Sequence, residues 1–320
     1  FFLVLIGTVL MSISIGSSGL TLQEIIQALI GNGSRQSHSI VWNVRMPRIL
    51  TGVSVGIALA ISGCIMQNVL RNPLASSSTL GVTQGASFGS AFAIVFLDAG
   101  VQVNASTASA VSISNPYAVT ICAFLGGIVT TGIILGLSRV AKVTPGTMIL
   151  AGVALSSLFT GGTTLIQYFA DDVKVASVVY WTFGDLGRAG WKQIGIIFLI
   201  GSIAFVYFFY NRWNYNAMGT GIDTAKSLGV NVDSLILISM VLSTLATAVS
   251  VAFVGSISFI GLVSPHITRK FVGNDYRFLV PGSAIMGAII LVLAELVSRT
   301  ITPPSILPIG ALTSFLGAPL

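Results

Sequence analysis

The stretch from Arg48 to Leu70 reads RILTGVSVGIALAISGCIMQNVL, a run that carries no charge after its first residue and in which glycine, alanine and serine recur throughout. A helix rises about 1.5 Å per residue, so about 20 mostly apolar residues are needed to cross the roughly 30 Å hydrocarbon core of a bilayer. This run has that length. As a helix it satisfies its backbone donors and acceptors internally, which lipid demands of any spanning segment.

Working outward, runs of the same kind recur along the 320 residues. Of these residues 54% are hydrophobic and 8% charged, against about 25% charged in soluble domains. Apolar runs bounded by Gly, Pro, Asn and charge predict ten spans: 2–19, 48–70, 79–97, 117–138, 147–169, 191–210, 234–254, 256–272, 280–298 and 308–320. Gly255 and Pro265 interrupt the run from 234 to 272 and could divide it into a span and a short helix. The strict apolar/polar alternation of a membrane β-barrel is not seen. The first run lacks the basic region and cleavage site of a signal peptide and reads as a span. The expected fold is therefore an all-α integral membrane protein of about ten transmembrane helices, forming a single transmembrane domain over 1–320.

Ten spans put both termini on one side. With cytoplasmic termini, the inner loops hold Arg71, Arg139, Lys142, Arg212, Lys226, Arg269, Lys270 and Arg277. The outer loops hold Arg35, Arg45, Arg48, Lys174, Arg188, Lys192 and Arg299. This near balance gives little orientation by the positive-inside rule, unless Arg45, Arg48 and Arg299 are kept outside for another purpose. The net charge of +6 calls for no nucleic-acid partner. Shifting the chain by 192 residues lays Gly63, Ile65, Leu70 and Pro73 on Gly255, Ile257, Leu262 and Pro265. Two weakly similar halves of five spans, 1–190 and 191–320, would have opposite orientation, as in transporters built from inverted repeats.

Several motifs fall in order along the chain: Val44-Arg45-Met46-Pro47-Arg48, Arg71-Asn72-Pro73-Leu74-Ala75, and Leu80-Gly81-Val82-Thr83-Gln84-Gly85-Ala86. They continue with Leu150 to Leu155, Trp181-Thr182-Phe183-Gly184-Asp185-Leu186, and Ala225-Lys226-Ser227-Leu228-Gly229-Val230. Ile257 to His266, Leu307-Pro308-Ile309-Gly310 and Gly317-Ala318-Pro319 complete the series. Together they resemble the FecCD-type permeases of iron-siderophore, haem and cobalamin ABC importers. The resemblance implies a subunit that dimerises, with itself or a paralogue, around a translocation path in the cytoplasmic membrane. It implies two separate ATPase subunits that bind ATP and Mg, and a periplasmic or lipid-anchored substrate-binding protein. No cofactor is expected in this chain, and no Gly-x-x-x-x-Gly-Lys-Ser/Thr phosphate loop occurs in it.

The same resemblance implies roles for particular residues. Arg45, Arg48 and Arg299 would dock glutamates of the binding protein, a task suited to a guanidinium that stays charged and can hold a carboxylate by two hydrogen bonds. From the residues alone they read as interfacial anchors. The polar insertion 211–233 would be the cytoplasmic coupling segment that meets the ATPase through Asp223, Thr224, Ala225, Lys226, Ser227, Leu228 and Gly229. By their types, Asp223 or Thr224 could cap a short helix that Gly229 ends. Thr144, Pro145, Gly146 and Thr147 match a cytoplasmic constriction, although Pro145 and Gly146 depart from its small polar pattern and a plain turn is the alternative. The function implied is import of an iron chelate, a ferric siderophore before haem or cobalamin.

The remaining polar residues support no rival chemistry. Glu295 lies well inside a span with Arg299 four residues on, the spacing of a local ion pair. An acid at such depth is the one feature favouring the alternative of an ion-coupled secondary transporter. Cys64 and Cys122 read as buried thiols, and His38, in a polar loop, and His266, near a helix start, as packing or capping residues. Asp171-Asp172 and 98–116 read as solvated loops. No Ser-His-Asp, Cys-His or His-Glu-x-x-His pattern suits an enzyme.

Overall fold

The computed structural model describes residues 1–16, 19–99, 115–141, 144–302 and 305–317. Lys142, Ala318, Pro319 and most of the stretch 98–116 lie outside them, as does the end of the last span. Among the described residues there is no strand. The helices are α1 (Phe2–Ser14), α2 (Leu22–Ile30), α3 (Arg35–Ile40), α4 (Met46–Val69), α5 (Val82–Phe96), α6 (Pro116–Ala141), α7 (Pro145–Tyr168) and α8 (Asp172–Thr182). They continue with α9 (Trp191–Tyr210), α10 (Arg212–Thr220), α11 (Ile222–Ser227), α12 (Val232–Val254), α13 (Ile260–Val272), α14 (Tyr276–Thr300) and α15 (Ile309–Gly317).

Among the described residues, six helical runs have the length and apolarity to cross a membrane: Arg35–Val69, Pro116–Leu137, Pro145–Tyr168, Trp191–Tyr210, Val232–Val254 and Tyr276–Thr300. Three of the other predicted spans are shorter than sequence suggests, and the end of the fourth lies outside the described residues. Helix α1 ends at Ser14 instead of 19, α5 has 15 residues and α13 has 13. In the run from 234 to 272 the break falls at Gly255, which takes φ 85°, and Phe259 at φ 67° opens α13. Pro265 sits within α13 and does not end it.

The second span begins before Arg48. A π-helical turn, Val41–Arg45, joins α3 to α4 in one 35-residue run. Proline has no N–H to donate and its ring crowds the preceding turn, and a widened turn just ahead of Pro47 absorbs both defects. His38 therefore stands on a helix, with its ring 6.2 Å from that of Trp42, and not in a loop. Three further helices lie in segments read as polar or unassigned. Helix α2 begins with a reciprocal Thr21–Glu24 capping box, α8 begins at Asp172 where a solvated loop is predicted, and α10 occupies the start of the 211–233 insertion.

Two compact units divide the chain, one formed by Phe1–Cys64, Asp185–Arg212 and Ile257–Leu320, the other by Ile65–Gly184 and Trp213–Ser256. They interleave in sequence and coincide with neither 1–190 nor 191–320. In the first, α14 packs on α1, α9, α13 and α15, and Ile13, Ile25, Val41, Ile49 and Val292 form an apolar cluster. Helix α4 approaches backbone to backbone at two points: Gly56 lies on the Gly287 carbonyl and Ala288, and Gly63 on Gly261. Lipid supplies no hydrophobic drive for helix pairing, so such small-residue contacts carry the packing.

In the second unit α5 is surrounded by α6, α7, α8 and α12. Gly85 meets Gly126, and Gly89 meets the Cys122 carbonyl, while Ile94, Val178, Trp181 and Val251 fill the core. Polar cross-links tie its helices, with Thr131 and Thr244 hydroxyls 2.8 Å apart and Tyr215 and Ser239 hydroxyls 2.7 Å apart. Cys64 is buried, Cys122 half-buried, and both are free thiols.

Candidate functional site

The last carbonyls of a helix lack N–H partners from its following turn, and a helix C-terminus carries partial negative charge that attracts cations, as at the end of α1. Two arginines from distant segments converge on it. Arg45 donates from Nη1 to the carbonyl of Ile13 and, at 3.4 Å, to that of Ser14. Arg299 donates from Nη2 to the carbonyl of Ser12 and, at 2.8 Å, to its hydroxyl. Gly16 lies flat against the Arg45 guanidinium, where a Cβ would stand 2.9 Å from Cζ.

Arg299 also pairs with Glu295, Nε to Oε2 at 3.2 Å, as the spacing of four residues predicts. The acid is buried at 1% exposure, and its Oε2 accepts from the Ser12 hydroxyl at 3.4 Å. Arg48 goes elsewhere. Its Nη1 lies 3.7 Å from Asp185 Oδ1, and its guanidinium rests on Gly187. Asp185 is held by the short 3-10 turn Leu186–Arg188, accepting from the Gly187 N–H at 2.8 Å.

Arg45 and Arg48 therefore do not project together from a helix end. Arg45 is 4% exposed, Arg48 is half-buried, and each has an intramolecular partner. Sequence reasoning missed the partners Ser12, Ile13, Ser14, Asp185 and Gly187. Three of these act through backbone carbonyls, which leave no trace in residue type. Asp185 stood in a quoted motif and carried the signal of a lone acid among apolar residues.

The other two predicted sites belong to the second unit. Helix α11 carries the 222–229 segment, but Gly221 is its N-cap and no side chain caps it. Asp223 and Thr224 lie inside the first turn, where an acid favours the positive helix end. Gly229 ends the helix as predicted. At φ 82° its N–H reaches the Lys226 carbonyl at 2.9 Å, and Val230 N–H reaches that of Ala225 at 3.0 Å, the paired bonds of a Schellman stop. Ala225 is buried, whereas Asp223, Thr224, Lys226, Ser227 and Leu228 are exposed. Thr144 stands at the N-cap position of α7 with no side-chain cap bond, and Pro145 to Thr147 form the first turn of that helix. The Thr144 and Thr147 hydroxyls stand 2.9 Å apart, both residues exposed. No cluster of three or more metal-ligating side chains occurs among the described residues.

Long apolar helices joined through glycine contacts, with charged groups gathered on helix ends, define a multi-pass helical membrane protein. Comparison with known proteins narrows this class. The profile of the FecCD transport family matches residues 3–320, and the chain belongs to that family, as an ABC-type permease. A Methanocaldococcus jannaschii protein assigned as an ABC transporter permease is 48% identical over 97% of this chain and 88% of its own length. The iron(3+)-hydroxamate import system permease FhuB of Bacillus subtilis is 32% identical over 97% of this chain and 77% of its own. Among solved structures, one assigned as an inward-facing metal-chelate type ABC transporter superposes with a TM-score of 0.84 at 30% identity, covering 99% of this chain and 94% of that one.

Proposed function

We propose that this chain is the translocation subunit of an ATP-driven importer in the cytoplasmic membrane of a bacterium or archaeon, passing a ferric siderophore delivered by a substrate-binding protein. The family match across residues 3–320 carries this reading. Relatives whose names specify a cargo transport iron hydroxamate, iron citrate and hemin, all bulky iron chelates. The subunit pairs with a second permease, identical or paralogous, and two ATPase subunits hold ATP and Mg. Its own part is passage and not catalysis.

The binding protein docks on the Arg45, Arg48 and Arg299 end. Arg45 supports this surface from beneath by fixing α1, and Arg48 offers its half-buried guanidinium to a carboxylate. Charge complementarity at such a contact acts on encounter and is screened by salt. Arg48→Glu is expected to weaken binding-protein association by roughly tenfold at low ionic strength, with a smaller loss at high salt. Unchanged association in a pull-down titration would remove Arg48 from the docking surface.

The ATPase contact is α11 with its exposed Leu228. Apolar exposure beside Asp223 and Lys226 suits a partner groove better than open solvent. Deleting 222–229 is expected to abolish co-purification of the ATPase subunits while the chain stays monodisperse in detergent. Retained ATPase would overturn this assignment. In the ion-coupled alternative Glu295 would have to act as an ion site, and its pairing with Arg299 and Ser12 supports a local structural pair instead.

A further inference from the structure

Helix α2 has its own start and stop, the Thr21–Glu24 capping box at one end and at the other Gly31, at φ 89°, whose N–H reaches the Gln27 carbonyl. At about 100° per residue, its side chains sort into three sectors that do not overlap. Ile25 and Ala28 are buried, Ile25 in the apolar cluster with Ile13, Val41 and Ile49. Gln23, Glu24 and Gln27 are exposed and polar. Between these lie Leu22, Ile26, Leu29 and Ile30, all aliphatic and all exposed. A helix on a water-facing surface needs two faces, one for the core and one for water. The aliphatic third sector calls for a third medium.

The neighbours of α2 fix its level. The Trp42 indole donates to the Ala28 carbonyl at 3.1 Å, and Gly33 lies so close to Ala28 that a Cβ there would stand 2.8 Å from its Cα. Trp42 precedes Arg45 by one turn, and Arg45 holds the end of α1. The Trp42 ring is 6.1 Å from that of Trp191, the first residue of the spanning helix α9. Paired indoles beside a charged helix end mark a membrane–water interface. Helix α1, packed on the spanning helix α14, turns Leu3, Ile6, Leu10 and Met11 outward, and α2 packs against α1.

We propose that α2 lies in the membrane interface, with Leu22, Ile26, Leu29 and Ile30 inserted between lipid headgroups and the first acyl carbons, and anchors the start of the long α3–α4 run to the bilayer surface. The occupant is lipid and not a protein. A soluble partner that comes and goes would leave four aliphatic side chains in water between visits, and the sector lacks the aromatic and arginine anchors on which protein contacts turn. Helix α2 carries no Lys or Arg, and its one acid, Glu24, is engaged by Thr21. Apolar area alone therefore holds it, and the charge of the lipid is immaterial. The inference rests on membrane residence and not on the docking reading, so the two can fail separately.

The test uses the full chain, assembled with its partner subunits in vesicles of phosphatidylcholine, alone or mixed with phosphatidylglycerol. Nitroxide labels, each on a single introduced cysteine, replace Leu22, Gln23, Ile26, Gln27 or Ile30 on a Cys64→Ala, Cys122→Ala background. Their collisions with oxygen and with a water-soluble nickel chelate are measured. Labels at 26 and 30 are expected about 5–10 Å below the headgroup surface, and the nickel chelate is expected to reach 23 and 27 at least about fivefold more readily, in both lipid mixtures. Ile26→Asp combined with Ile30→Asp is expected to draw the label at 22 out into water. If that variant misfolds, the labels on the otherwise unchanged helix give the reading. Equal nickel access at 26, 27 and 30 would overturn the proposal. So would shielding of 26 and 30 that appears only when the loaded binding protein is added, or spin–spin broadening between copies, which would give the face to a protein. Insertion confined to the phosphatidylglycerol mixture would overturn apolar area as its cause.

Discussion

Gly63→Val is expected to abolish recovery of folded protein from membranes. The new Cβ falls on the carbonyl and Cα of Gly261, inside contact distance. These are backbone atoms of α13 and cannot rotate aside as a side chain would. Overpacking costs about 1–3 kcal/mol where side chains can adjust, and more where they cannot. Separating α4 from α13 would also strain the neighbouring Gly56–Gly287 contact between α4 and α14, since Gly56 and Gly63 both lie on α4. Gly132→Val in α6 is the matched control, because nothing lies within 4 Å of the Cβ position there. Size-exclusion profiles of the two variants in detergent check the prediction. A monodisperse Gly63→Val protein would mean that the two helices do not depend on backbone contact.

Glu295→Ala is expected to cost about 3–5 kcal/mol, the usual penalty for removing one partner of a buried ion pair. The side chains of Glu295 and Arg299 are 2% and 11% exposed. Without the acid, the Arg299 guanidinium keeps the Ser12 carbonyl and hydroxyl, neutral acceptors in place of a carboxylate. Glu295→Met combined with Arg299→Leu is expected to recover most of the loss, because apolar residues of similar volume replace such pairs at little cost. The double variant would still lack the Arg299 clasp on α1. Denaturant unfolding in mixed micelles measures both effects, and a neutral Glu295→Ala would show that the pair does not stabilise this end of α1.

Membrane residence and helix type are legible in the residues because lipid imposes a length and a composition that no other environment requires. The 191–210 span is read to the residue, since Trp191 and Tyr210 bound it chemically. The start of the second span is misread for a physical reason. Pro47 ordinarily ends a helix, and only a π-helical turn carries this one through to Arg35. Helices α2, α8 and α10 escape notice because they are short and mixed in polarity, so a search for apolar runs passes over them. Gly229 is legible as a helix stop because its conformation favours that residue type, whereas Gly221 as N-cap leaves no signature.

The arginines show the same division. Their positions follow from a motif, but their partners do not. Helix-end carbonyls have no side-chain identity, and Asp185 is brought to Arg48 by a 3-10 turn that the sequence does not announce. The consequence for function is that the candidate docking end is pre-organised. Arg45 and Arg299 are spent on holding α1, and Arg48 is oriented by Gly187 and Asp185 before any partner arrives.

In the proposed function, nucleotide hydrolysis by partner subunits drives a chelate through this chain. The direct measurement is uptake of a radiolabelled ferric siderophore into proteoliposomes that contain the permease, its ATPase and its loaded binding protein. Accumulation is predicted to require ATP and to fall to the leak rate with a non-hydrolysable analogue. Uptake at the full rate without nucleotide, following an imposed proton or sodium gradient, would contradict it.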